Sequence, residues 1–195
     1  MNKGQVEGKS IPLAIGALLV FGGIYVIVIA LSPQLIPLTT NPTDNSTTKL
    51  LQSTEQNLTE QRLYIPKLDV NVSYDTGDKS ALERGAWWRQ PQNGNPRDGG
   101  NFVLSAHRFI MGLTPKQTLR KSPFYNIDKL KVGDEIIVDY QGKRYSYQIS
   151  QVFAVTPDAI EIEKRTDQPQ LTLYSCTLGG SADGREVIIA TPKSS

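Results

Sequence analysis

Residues 133–155 read GDEIIVDYQGKRYSYQISQVFAV. β-Branched and aromatic residues fill two runs, Gly133 to Tyr140 and Tyr145 to Ile149, and Gln141-Gly142 between them suits a tight reversal, so the stretch predicts a hairpin. Gln151 to Val155 has the same character and extends it by a further strand. On the N-terminal side, Arg62 to Pro66 is a short β run stopped by proline, and Val70 to Tyr74 alternates as a half-buried strand does. Ala81 to Gly85 suits one helical turn before Trp87 and Trp88, which read as one core and one surface aromatic. Gln90 to Gly100, rich in Pro, Gly and Asn, is a loop leading into Phe102 to Ser105. On the C-terminal side, Leu171 to Cys176 and Glu186 to Ala190 complete the set. About seven or eight short strands with one or two short helices predict an all-β domain over residues 62–195, a closed barrel or a sandwich.

Ahead of this domain, Ile11 to Leu31 carries no charged residue and is long enough to cross a bilayer as a helix. An uncleaved anchor is favoured over a cleavable signal, whose apolar part is shorter, although Val28-Ile-Ala30 would serve as a cleavage site. Lys3 and Lys9, opposed only by Glu7, place residues 1–10 in the cytoplasm by the positive-inside rule, and everything after Leu31 outside. Residues 32–61, rich in Pro, Thr, Asn, Ser and Gln, read as an extracellular linker, part of which around Leu50 and Leu51 has helical character. The net charge of +2, evenly mixed, gives no argument for nucleic acid.

The chain has one cysteine, Cys176, and one histidine, His107. A single thiol forms no internal disulfide, so a hydrophobic core must hold the fold and the thiol is either inert or reactive. The glycine-bearing loop Thr177 to Arg185 and the lone His107 favour the reactive reading. A thiol needs a base or cation beside it to act as a nucleophile, and attack on a carbonyl needs positive charge where the oxyanion forms. His107 and Arg185 are suited to those tasks.

The order Ile65-Pro-Lys-Leu68, Leu104-Ser-Ala-His107-Arg108, Gly133-Asp134 before the hairpin, Thr172-Leu-Tyr-Ser-Cys176 and Arg185 resembles the sortase family over the whole of residues 62–195. Two positions depart from the family pattern: Ser175 stands where Thr is usual and Ala106 where Gly is common, both small-residue exchanges that leave the reactive groups in place. The resemblance implies a closed eight-stranded β-barrel with Cys176 as nucleophile, His107 as general acid and base, and Arg185 stabilising the oxyanion or the bound peptide. It implies cleavage of a sorting signal similar to Leu-Pro-x-Thr-Gly after Thr, through a thioester, with transfer to an amine of the cell wall or a pilin. The partners would be exported proteins bearing that signal and the amine acceptor, outside a membrane that the N-terminal helix anchors.

Ser175 and Thr177 flank the nucleophile and are weaker substrate-binding candidates. By resemblance, Thr156 to Pro169 forms a wall of the signal groove, with Ala159, Ile160 and Ile162 placed to touch its Leu-Pro part. Asp158, Glu161, Glu163 and Asp167 in the same segment are the carboxylates available to calcium, but their spacing is not that of a calcium loop, so neither metal nor cofactor is expected. Arg84, Arg89, Arg97 and Arg108 read as solvated surface. Neither an Asp-Pro-aromatic lid nor a second apolar segment after Ala190 is present, which favours an unlidded general anchoring type. Resolution of the thioester by water, a barrel that binds peptides without turning them over, and an OB-like nucleic-acid barrel are the competing readings.

Overall fold

The expected reversal at Gln141-Gly142 is a two-residue turn in which both residues are left-handed, with φ of 48° and 76°, and Tyr140 pairs directly with Lys143. That is the turn whose twist matches antiparallel strands, and glycine accepts it without strain. A computed structural model describes residues 10–39, 46–52 and 58–193 of the chain. Its strands are β1 (Arg62–Ile65), β2 (Val70–Asp75), β3 (Ala86–Arg89), β4 (Gly94–Asn95), β5 (Gly99–Ser105), β6 (Glu135–Tyr140), β7 (Lys143–Val155), β8 (Gln170–Thr177) and β9 (Gly180–Pro192). They run side by side in the order β3-β2-β1-β6-β7-β9-β8-β5, and β3 pairs back onto β5. Eight strands therefore close into a barrel, and β4 is a two-residue appendage of β5. Closure leaves no edge strand in the ring, which excludes the sandwich.

Two features of the ring are not written in the local pattern. β3 is only four residues long, set between the 3-10 turn Lys79–Glu83 and the loop at Gln90, yet it is the strand that closes the barrel. β2 pairs in parallel with the next strand, β3, across a short connection, and β5 pairs in parallel with β8, far along the chain. The segment Ser181–Gly184, expected as loop, lies within β9 as an excursion: Cys176 pairs with Arg185, and the next residue, Thr177, pairs with Gly180. β7 absorbs two expected strands, Tyr145 to Ile149 and Gln151 to Val155, into one, with a register shift between Ile149 and Gln151.

Leu63, Ile65, Phe102, Leu104, Ile136, Val138, Ile149, Leu171, Leu173 and Ile188 fill the barrel interior and are fully buried. Phe102 lies edge-on to Tyr74 and Trp88, and Trp88 edge-on to Tyr140, the favoured arrangement of aromatic quadrupoles. Asp139, buried, receives Nε and Nη2 of Arg144 at 2.7 Å each across the hairpin. A short helix not anticipated from the sequence, α3 (Pro115–Lys121; α1 and α2 precede it), starts at Thr114, whose hydroxyl accepts from the Gln117 amide. Proline at its first position is the usual companion of such a cap.

The N-terminal helix α1 (Ser10–Thr39) runs eight residues past the end of the apolar stretch at Leu31 and into the expected linker. Pro33 lacks the N–H that would bond to Ile29 four residues back, and the Ser32 hydroxyl donates to the Ile29 carbonyl instead, at 2.7 Å. Ile29, Ser32 and Pro33 are buried, α1 lies against α3, and Gln34 Nε2 donates to the Tyr125 hydroxyl at 2.9 Å. A second helix, α2 (Ser46–Gln52), covers the Leu50-Leu51 region, where the Ser46 hydroxyl and the Thr47 amide both donate to the Asp69 carboxylate. Among the described residues one helix, Leu13–Leu35 within α1, is long and apolar enough to cross a membrane. Lys3, Glu7 and Lys9, on which the orientation rests, lie outside the described residues.

Candidate active site

β5 and β8 are parallel neighbours whose last common pair is Ser105 with Tyr174. Two residues beyond Ser105 is His107, and two residues beyond Tyr174 is Cys176. Adjacent strands lie about 4.8 Å apart, so equal steps along parallel partners bring imidazole and thiol to the same rim, side by side. Two bonds lock this register: the Ala106 amide donates to the Tyr174 carbonyl at 3.4 Å, and the Ser175 hydroxyl donates to the Ala106 carbonyl at 2.8 Å. On the other flank of β8, Arg185 of β9 is the antiparallel partner of Cys176. Three contiguous strands thus deliver His107, Cys176 and Arg185 to one place.

Cys176 is partly exposed, and His107 retains 22% of its side-chain exposure. His107 Nε2 stands 3.2 Å from Glu83 Oε1, a carboxylate at the end of the Lys79–Glu83 turn. Arg185 donates through Nη1 to the carbonyls of Ser181 and Gly184, both at 2.9 Å, and has no carboxylate partner among the described residues. Its charge therefore remains available to a substrate oxygen. A cleft of about 710 Å³ contains all three residues. A smaller hollow of about 350 Å³, bordered by Glu60, Ser73, Arg84 and Gly85, contains no thiol or imidazole.

The weaker candidates also border the cleft, in differing states. Ser175 is buried, and its hydroxyl is used on Ala106. The Thr177 hydroxyl donates to Asp183 across the turn between β8 and β9. Ala159, Ile160 and Ile162 form a wall together with Pro157, and Ile160 is 73% exposed, an apolar side chain presented to whatever enters. That wall is fastened from behind. Glu163 receives Nε and Nη2 of Arg89 at 2.9 and 3.2 Å, Nε2 of Gln90 at 3.1 Å and the Tyr174 hydroxyl. Asn93 and Asn101 donate to the carbonyls of Ile162, Glu163 and Lys164.

Glu163 is thereby committed to protein donors. Among the described residues, Asp158, Glu161, Glu163 and Asp167 form no cluster able to hold a metal ion. Burial pushes the Glu163 carboxyl up, but its bonds to Arg89, Tyr174 and Gln90 outweigh that and hold it below the ordinary glutamate value.

Several cleft residues were passed over in the sequence. Arg89 is not solvated surface: it lies over the Trp87 ring at 4.0 Å and holds Glu163. Trp88 is the core aromatic, and Trp87 borders the cleft. Arg108 is buried, with Nη2 donating to Asp128 at 2.7 Å and with Nε and Nη1 enclosed without a hydrogen-bond partner among the described residues. Glu83 had only its place in a helical turn as a signal. An Arg-aromatic pair two apart on a strand, such as Trp87 and Arg89, was the legible hint that one face of β3 is not water.

A closed barrel with one thiol, one imidazole and one guanidinium on neighbouring strands defines a β-barrel built around a candidate cysteine nucleophile. A sortase-domain family model matches residues 63–193, so the chain belongs to the sortase family. Sortase SrtE1 of Streptomyces coelicolor is 35% identical over 101 residues, 48% of this chain and 26% of that protein. Sortase A of Streptococcus agalactiae is 30% identical over 117 residues, 58% of this chain and 44% of that protein. The chain thus spans a quarter to less than half of the length of these relatives. Among solved structures, a Clostridium perfringens sortase D5 transpeptidase superposes with a TM-score of 0.58 at 22% identity, covering 80% of this chain and 91% of that one. Sortase E1 of Streptomyces coelicolor, solved with a tripeptide in its active site, gives 0.58 at 24%, covering 69% and 88%. At these identities the structures show a shared fold, the closed barrel described above.

Proposed function

We propose that the chain is a membrane-anchored cysteine transpeptidase acting on a sorting signal similar to Leu-Pro-x-Thr-Gly. The observation that carries this reading is the parallel register of β5 and β8, which puts His107 and Cys176 at equal steps beyond Ser105 and Tyr174. The Cys176 thiol passes its proton to His107, its sulfur attacks the carbonyl carbon of the signal's Thr, and the carbonyl oxygen takes the charge beside Arg185. The carbon–nitrogen bond to the following residue then breaks, with His107 giving a proton to the departing amine. A thioester on Cys176 remains. An amine of a cell-wall precursor or pilin attacks it, His107 takes the amine's proton and passes it to the departing sulfur, and the thiol is released as the new amide forms. Arginine suits the oxyanion role because its charge is not lost by deprotonation and its donors are forked.

The Ala159, Ile160 and Ile162 wall supplies apolar surface for the Leu-Pro part of the signal. α1 supplies the anchor, and the domain from Arg62 onward works outside the membrane on exported proteins. The test is intact-mass spectrometry of the protein with a panel of Leu-Pro-x-Thr-Gly-like peptides, with and without an added amine, beside Cys176→Ala. A thioester adduct on the native chain alone, converted to an amide by the amine, is the expected result. Hydrolysis with no amide would make the protein a peptidase. No adduct from any peptide, while an electrophile still labels Cys176, would sink the general-signal reading.

A further inference from the structure

The loop that follows the histidine, Phe109-Ile-Met-Gly-Leu113, carries exposed apolar side chains on a backbone of which half the polar groups are bonded to side chains. Phe109 is 37%, Met111 50% and Leu113 75% exposed. Five backbone groups of the loop are nevertheless bonded to side chains. The Ile110 amide donates to Ser122 Oγ at 2.9 Å, and that hydroxyl in turn donates to the Ile110 carbonyl at 3.3 Å. The Gly112 amide donates to Thr118 Oγ1 at 3.0 Å, the Leu113 amide to Gln117 Oε1 at 2.9 Å, and the Tyr25 hydroxyl of α1 donates to the Leu113 carbonyl. Water is not needed to satisfy these groups. A polar group bonded within the protein costs less to bring out of water than an unbonded one.

The contact with Tyr25 fixes where the loop lies along α1. Tyr25 precedes Leu31, the end of the apolar run, by six residues, which is about 9 Å of helix. If α1 spans a bilayer, the tip of the loop lies below the level at which the apolar run leaves the hydrocarbon. Interfacial elements insert their apolar side to about 5–10 Å, the same depth. Charge agrees: residues 109–127 contain Lys116, Arg120 and Lys121 and no Asp or Glu, and Lys116 and Arg120 are exposed on α3 beside the loop. A basic helix next to an apolar tip suits lipid headgroups above an acyl region.

We infer that Phe109 to Leu113 is a membrane-docking element that dips into the outer interface of the bilayer beside α1. This rests on the reading of α1 as a span. Docking sets the cleft next to the membrane, because Phe109 and Ile110 border the cavity that contains His107 and Cys176. It also restrains the segment directly after His107.

The test uses the full chain with Cys176→Ala, reconstituted in lipid nanodiscs, with one environment-sensitive fluorophore at a time on Met111→Cys, Leu113→Cys, Val132→Cys or Val20→Cys. Lipids spin-labelled near the headgroup or deep in the acyl chain serve as quenchers. Shallow quenchers are expected to dim positions 111 and 113 at least twofold more than Val132→Cys, which is an exposed apolar position on the turn before β6. Deep quenchers are expected to dim Val20→Cys. If Val20→Cys is quenched while positions 111 and 113 behave as Val132→Cys does, the docking inference is overturned and the span survives. If Val20→Cys is not quenched, the span reading fails and the docking inference falls with it. Shielding of position 113 that depends on protein concentration and not on the lipid label would assign the patch to a second copy of the chain, and would also overturn it.

Discussion

Ser175 and Ala106, the residues immediately before Cys176 and His107, are joined by a hydrogen bond of 2.8 Å from the Ser175 hydroxyl to the Ala106 carbonyl. Ser175 is buried, so this bond has little competition from water. It acts on the spacing of thiol and imidazole without touching either.

Ser175→Ala leaves the Ala106 carbonyl without that donor and is expected to lower stability by about 1–3 kcal/mol, the usual cost of an unsatisfied buried group. Urea unfolding measures this. Ser175→Thr, which keeps the hydroxyl, is expected to hold both stability and the rate of thioester formation closer to native; equal losses in Ala and Thr variants would show that packing, not the bond, matters.

Arg185→Ala is expected to slow thioester formation by about 10²–10³, the range found when one oxyanion donor is removed. Arg185→Lys should recover only part, because it restores charge and not the fork. Single-turnover acylation by rapid quench reads the difference, and full activity in Arg185→Lys would assign the residue a purely electrostatic task.

The Glu163 clasp predicts an acid-side loss of stability. Its carboxyl is held below the ordinary value in the folded chain, so the unfolded chain binds the proton more readily, and the contribution is present above the unfolded value near 4.3 and fades as pH falls through the folded one. Denaturation midpoints of the native chain should drop more steeply from about pH 5 to 3 than those of Glu163→Gln. Parallel curves would remove Glu163 from the account of acid sensitivity.

Glu83 is 61% exposed, so its contact with His107 contributes little to folding, and Glu83→Ala should keep stability within about 0.5 kcal/mol. While Glu83 holds Nε2, that nitrogen is not free for proton transfer at the cleft. Releasing it is expected to speed acylation of Cys176 by up to about fivefold, equivalent to an exposed pair of 1 kcal/mol or less. A slower variant would instead make Glu83 an orienting partner of the imidazole.

By itself, the sequence determined the strand-rich domain from Arg62, the Gln141-Gly142 reversal and the apolar helix. It also singled out Cys176, His107 and Arg185 as residues with reactive side chains. These follow from local chemistry: alternation, turn preference, an uncharged run and the singularity of one thiol and one imidazole. Tertiary structure alone decided that β3 closes the ring, that β5 and β8 run parallel, that Arg108 is buried and that Arg89 is drawn onto Glu163. β5 and β8 are distant in sequence, and their register depends on which faces must be buried together, information carried by no single segment. The same holds for the clasp on Glu163. Its donors come from β3, the turn after it and β8, and only the closed barrel brings them to one carboxylate.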